Sequence, residues 1–143
     1  MQTVGQLLQI KGTEVFSVSP DDSVLHAIEI MATRHVGALL VMGQDGLQGI
    51  ISERDYARKV ILKNRSSHDT PVGDIMTKNP VTVSPEATVH QCMEMMTEGR
   101  FRHLPVVDQG RLVGIVSIGD VVKHRLEQIE HEYQAMRDYI ATA

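Results

Sequence analysis

A single cysteine, Cys92, is all the chain contains. That excludes an internal disulfide and a CxxC metal knuckle, and it fits a reducing cytoplasm. An excess of positive charge is missing as well: 14 Lys and Arg stand against 18 Asp and Glu, a formal charge of -4. A protein whose main partner is nucleic acid needs the opposite balance, because phosphate binding rests on clustered Lys and Arg. No apolar run approaches the ~18–20 residues that cross a bilayer. The opening stretch, MQTVGQLLQIKG, has neither the basic segment nor the apolar core of a signal peptide. Walker, GxSxG and HExxH motifs are all missing, so no catalytic constellation is legible. These absences predict a soluble cytoplasmic protein. What remains is ordinary globular material: 143 residues, 42% apolar and 22% charged. That is enough for one compact domain, or for two small halves sharing a core.

The informative feature is an internal repeat. LQGIISERD (47–55) returns as LVGIVSIGD (112–120), and the offset of 65 holds without a gap back to Ser17 and Thr82. Over that span 14 of 39 positions are identical. A second match, VGQLL (4–8) against VGDIM (72–76), precedes it at an offset of 68, so the first copy carries three extra residues before its first strand. Two copies are too few for a solenoid. They must bury their apolar faces against each other or against another chain.

Each copy reads as β-α-β-β-α behind a short leading helix. Val15–Val18 and Val81–Val83 are the first extended runs, ended by Pro20 and Pro85. Ser23 and Thr88 then cap helices, and Thr88 with Gln91 fits a capping box. Val24, Ala27, Ile28 and Met31, like Val89, Cys92, Met93 and Met96, form a buried helical stripe. Strands 38–42 and 103–107 lead through GQDG and DQGR into 47–52 and 112–117, the spacing of hairpins. A last helix starts near Asp55 and Asp120. Thr70 and Pro71 should cap the second leading helix, and the polar NRSSHDT, 64–70, is the expected linker. The division is 1–63, 71–125 and a helical extension, 126–143.

In this order, with RHLPVVD, GIVSIGD and SERDYARK in place, the chain resembles a tandem pair of CBS domains, the regulatory unit also called a Bateman module. The resemblance covers about residues 3–125. It implies an α/β (α+β) fold of two repeats packed about a pseudo-two-fold axis. It also implies a non-enzymatic module holding an adenosine-containing ligand in the clefts between repeats: AMP, ADP, ATP, NAD(H) or S-adenosylmethionine. Such a module passes energy or redox status to a regulated partner protein, and commonly dimerises as a flat disc. The alternative is a structural interaction module with vestigial clefts.

By residue chemistry alone, Ser-x-x-Asp is a helix-capping pattern. The same strand-to-helix junction also exposes N–H groups that suit phosphate, and a carboxylate there can accept both hydroxyls of a ribose. The resemblance gives Asp55 and Asp120 the ribose, and Ser52 and Ser117 the phosphate. It places Arg102 and His103 towards the phosphates, although strand alternation sends these two side chains to opposite faces. It puts Val15, Phe16, Gly37, Thr77, Val81 and Ile115 in the walls. Arg54 in SERD stands where the second copy has Gly119, so the two sites are not equivalent, and the first has more charge for a phosphate.

Other features read as structure. Five basic residues in RDYARKVILKNR, 54–65, suggest a solvated helix face. Cys92 lies on the buried stripe; Met95 lies off it, facing a partner. After Asp120 the chain reaches Ala143 without Pro or Gly, which predicts one long helix. Val122, Leu126, Ile129, Tyr133, Met136 and Ile140 step alternately by four and three, a narrow heptad seam. It either packs back on its own domain or meets a second chain. The expectation is a homodimer, to which the apolar stripes of the repeats also contribute.

Overall fold

The computed structural model describes residues 2–142, so Met1 and Ala143, at the outer ends of the two expected terminal segments, fall outside the description. The order is α1 (Val4–Lys11), β1 (Ser17–Val18), α2 (Val24–Arg34), β2 (Ala38–Gly43), β3 (Gly46–Ser52) and α3 (Glu53–Tyr56), prolonged by a π-helical turn, Ala57–Ile61. Then come α4 (Val72–Ile75), β4 (Thr77–Lys78), α5 (Val89–Gly99), β5 (His103–Asp108), β6 (Arg111–Ser117) and α6 (Ile118–Thr142). This is the mixed α+β class with two repeats and a long last helix.

The repeated residues make repeated structure. The side chains of Ser23 and Thr88 accept the N–H groups of His26 and Gln91, and Thr88 with Gln91 forms a full capping box. Val24, Ala27 and Met31 are buried under α2, and Val89, Cys92 and Met96 under α5. Ile28, Met93 and Met95 pack at the core edges, so Met95 serves its own domain. Both helices end on a left-handed residue, His35 and Arg100, each at φ 57°. Even the hairpins share an irregularity, a register shift at Val41/Met42 and at Val106/Val107.

Three local expectations fail. The first strand shrinks to Ser17–Val18, paired parallel to β2. Val81–Val83 forms no strand, only a bridge between Val83 and Val106; Pro105 stands where Leu40 donates to the Phe16 carbonyl in the first copy, and it has no N–H to donate. Thr70 does not cap α4. Pro71 holds the cap position without a side-chain bond, while the Thr70 hydroxyl donates to the Ser66 carbonyl at 2.6 Å, closing the turn of the linker.

The two halves are joined by exchange of their leading helices. Val4, Leu7 and Leu8 of α1 belong to the core of the second repeat, with Cys92, Leu104 and Val116. Val72 and Ile75 of α4 belong to the first core, with Val24, Leu39 and Ile51. The crossings match each other. Val4 and Gly5 donate to the Ala87 and Pro85 carbonyls at 2.8 and 2.9 Å, and Val72 and Gly73 to those of Asp22 and Pro20 at 2.8 and 2.9 Å. A Cβ on Gly5 would lie 3.3 Å from Pro85, and one on Gly73 3.3 Å from Pro20, so the approach favours a residue without one. After α4 the chain adds β4 to the edge of the first sheet, giving the order β1-β2-β3-β4. A third cluster, Ala38, Leu40 and Ile50 with Val15, Leu112 and Ile115, fills the space between the hairpins.

Candidate functional site

Both copies of Ser-x-x-Asp close a helix start, as capping requires. Ser52 Oγ accepts the Asp55 N–H at 3.1 Å, and Asp55 Oδ2 accepts the Ser52 N–H at 3.0 Å. Ser117 and Asp120 repeat this at 3.1 and 2.9 Å. Each carboxylate also has a lysine, but from a different direction. Lys59 approaches Asp55 to 3.2 Å from one turn further along the same helix. The matching position in α6 is the buried His124, and Asp120 pairs instead with Lys11, at the end of α1, which also donates to the Ile115 carbonyl at 2.8 Å.

Around Asp55 lies a cleft of about 480 Å³. The first repeat supplies Ile50, Ser52 and the acidic and basic side chains of α3, and the turn before β2 supplies Gly37. The segment after α4 supplies Thr77, Asn79, Pro80 and Val81, and the turn into β5 supplies Arg100, Phe101, Arg102 and His103. Four guanidinium groups, Arg54, Arg58, Arg100 and Arg102, face two carboxylates, Glu53 and Asp55. The walls between them are apolar: Ile50, Pro80, Val81 and Phe101. Arg54 spans from one repeat to the other, donating to the Arg100 carbonyl at 3.4 Å.

Of the expected residues, Ser52, Arg54, Asp55, Arg102, His103, Gly37, Thr77 and Val81 line this one cleft. Arg102 and His103 both reach it, because Arg102 precedes the first residue of β5 and strand alternation does not govern the pair. Val15, Phe16, Ile115, Ser117 and Asp120 lie elsewhere. Val15 and Ile115 pack between the hairpins, and Phe16 packs on the first core with the Arg34 guanidinium 5.1 Å from its ring. Gly37 is the repeat counterpart of Arg102: one copy leaves room where the other brings charge.

The solvated face expected over 54–65 is present, with all five basic residues exposed, and it also makes contacts. Arg54 and Arg58 line the cleft, Lys59 pairs with Asp55 and donates to the Ile75 carbonyl at 2.9 Å, and Arg65 pairs with Asp74 at 2.9 Å. The signal was present in the spacing, since Arg54 and Arg58 stand one helical turn apart beside Asp55. Lys11 had no comparable signal.

Burial draws the His103 imidazole below its usual range; the Asp120 carboxylate opposes this, and Lys11 and Arg102 reinforce it. Burial alone would raise Asp120, but its bonds from Lys11 and the Ser117 amide outweigh that and hold it low. Burial pushes the Cys92 thiol up, away from reactivity. Among the described residues no three His, Cys, Asp or Glu side chains are placed to hold a metal, and no helix is long and apolar enough to cross a membrane.

Comparison with known proteins gives the family and the fold. The CBS domain family model matches twice, at residues 7–62 and 72–127. A CBS domain-containing protein of Arabidopsis thaliana, CBSX3, described as mitochondrial, is 41% identical over 96% of this chain and 71% of its own length. YhcV of Bacillus subtilis is 33% identical over 80% of this chain and 81% of its own. The chain spans only 21% of a longer Arabidopsis relative, CBSCBSPB5, at 37% identity. A CBS-domain protein structure from Agrobacterium tumefaciens superposes with a TM-score of 0.83 at 42% identity, covering 87% of this chain and 99% of the other. At 24% identity, a CBS domain pair solved with 5'-methylthioadenosine and S-adenosyl-L-methionine shares the fold, with a TM-score of 0.79.

Proposed function

Because the chain belongs to the CBS domain family, we propose that it is a non-enzymatic regulatory module that binds an adenosine-containing ligand and presents its state to a partner protein. The observation that carries this reading is the Asp55 cleft. A capped carboxylate sits where it can take ribose hydroxyls, four arginines and His103 surround it, and apolar walls are at hand for a purine. The charge excess favours a phosphorylated ligand, such as AMP, ADP, ATP or NAD(H), over a bare nucleoside. A pair of the same fold holds adenosine compounds, which supports the nucleoside half of the reading. Asp120, Ser117 and Ile115 make a second, weaker site, since Lys11 holds the Asp120 carboxylate at 2.5 Å, closer than Lys59 holds Asp55 at 3.2 Å. We place the protein in the cytoplasm and expect it to act as a homodimer.

A thermal-shift panel with these nucleotides and S-adenosylmethionine tests the reading. Saturation at 100 times the dissociation constant adds roughly 2.7 kcal/mol. That is a rise on the order of 5–10 °C for a chain of this size, at about 2–4 °C per kcal/mol. No shift with any of these compounds would favour a structural interaction module instead.

A further inference from the structure

The apolar seam of α6 is not covered by its own domain. Only Val121 and His124 of that helix are buried. Val122, Leu126, Ile129, Tyr133, Met136 and Ile140 stand between 44% and 67% exposed. His124 falls on the far side of the helix and Val121 on its flank, so the domain grips only the first turns of α6 and leaves the seam outward. From Ile129 to Thr142 every side of the helix is exposed. The family match ends at residue 127, whereas the seam continues to Ile140, so most of it belongs to this chain rather than to the shared module. The stripes of α2 and α5, expected to help in a dimer, are spent inside the two cores.

The charges beside the seam select its occupant. Leu126, Tyr133 and Ile140 occupy the a positions of the heptad, and Val122, Ile129 and Met136 the d positions. Lys123, Glu130 and Arg137 then fall at e, and Arg125, Glu132 and Tyr139 at g. In a parallel pair in register, each g residue meets the e residue five places on in the other helix. Arg125 meets Glu130 of the other copy, and Glu132 meets Arg137 of the other copy; by symmetry all four contacts are attractive. The antiparallel alignment that covers the whole seam sets Glu130 against Glu130, Glu132 against Glu132 and Lys123 against Arg137, all of like sign. We infer that α6 is a docking surface for a second copy of this chain, in a parallel, in-register coiled coil running from Val122 to Ile140. This rests on the self-association proposed above and adds its surface and polarity. Under three heptads is short for a free coiled coil, but the domain already orders the first turns of α6, which lowers the cost of nucleation.

The full-length chain is tested by sedimentation at micromolar concentration with two surface variants, R125E/E132R and E130R/R137E. The wild type should run with the mass of two chains. Each variant alone places like charges at all four contacts and should associate at least tenfold more weakly. An equimolar mixture restores four attractive contacts and should return to the mass of two chains. Unchanged circular dichroism and nucleotide-induced thermal shift show that each variant is folded. A wild type with the mass of one chain overturns both self-association and the seam. Variants that pair as tightly as the wild type overturn the seam while self-association stands. A mixture no stronger than its components overturns the parallel register.

Discussion

Arg102 and His103 sit side by side at the mouth of β5 and face the same cleft, yet they act in different ways. Arg102 carries a permanent charge, and a charge-assisted bond is worth about 1.5–3 kcal/mol. Arg102→Ala should therefore weaken AMP by roughly tenfold or more while leaving adenosine little changed, as read by calorimetry; equal losses for both would remove its phosphate role. His103 is held low by burial. The fold resists a proton that the unfolded chain accepts below about pH 6.5, so His103 makes stability rise with pH through that window. His103→Gln should flatten the dependence measured by denaturant unfolding between about pH 5 and 7. Asp120 has the same sign in a more acidic window. Its lowered value contributes stability above the ordinary carboxyl range and loses it as pH falls through that value. A phosphate in the cleft favours the imidazolium, so nucleotide binding near pH 6.5 should take up protons, visible as a binding enthalpy that changes with the buffer's ionisation heat. Much of this site is legible in the sequence, because Ser52 and Asp55 stand in a repeated pattern and Arg102 and His103 stand at the RHLPVVD strand that carries the family resemblance. Arg58 has only its spacing from Arg54 as a signal, and Lys11 has none. Charge on a helix does not say which neighbour it faces, and the Lys11 contact spans most of the chain.

At the scale of elements, β3 has a tight point. A Cβ on Gly49 would stand 2.6 Å from the Thr77 carbonyl of β4 and 2.9 Å from the Met76 sulfur. Backbone cannot swing aside as a side-chain tip can, so Gly49→Ala should cost about 1–3 kcal/mol in chemical denaturation. It should also disturb Thr77 in the cleft wall; an unchanged midpoint would mean that β4 yields freely. The strand pairs, helix caps and buried stripes follow from period and capping chemistry alone, which is why α2, α5 and the two hairpins appear where the spacing predicts them. Val81–Val83 has the composition of a strand, but pairing needs a donor on the partner strand, and Pro105 lacks the N–H that Leu40 supplies in the first copy. The π turn after α3 has no signal of this kind.

On the scale of the whole molecule, the exchange of α1 and α4 makes the two repeats one folding unit. Periodicity shows that Leu8 is buried, but not that it is buried under the other repeat, against Val116 and beside Gly114. Leu8→Ala should cost about 2–5 kcal/mol, as for other large-to-small core changes, and the unfolding curve should remain a single transition. Two resolved transitions would mean that the halves are stable apart and that the exchange is incidental. The same coupling allows a ligand held between Asp55 of one repeat and Arg102 of the other to bias their relation, and so the surface shown to a partner.

The account depends most on Asp55 receiving a ribose within that cleft. Its most direct test is a calorimetric titration of wild type and Asp55→Asn with the nucleotide that gives the largest thermal shift. Asparagine keeps an oxygen for the Ser52 cap and removes the charge. The account predicts saturable binding to the wild type, at least tenfold weaker binding to the variant, and near-equal stability of the two without ligand. Binding of equal strength by both proteins would contradict it.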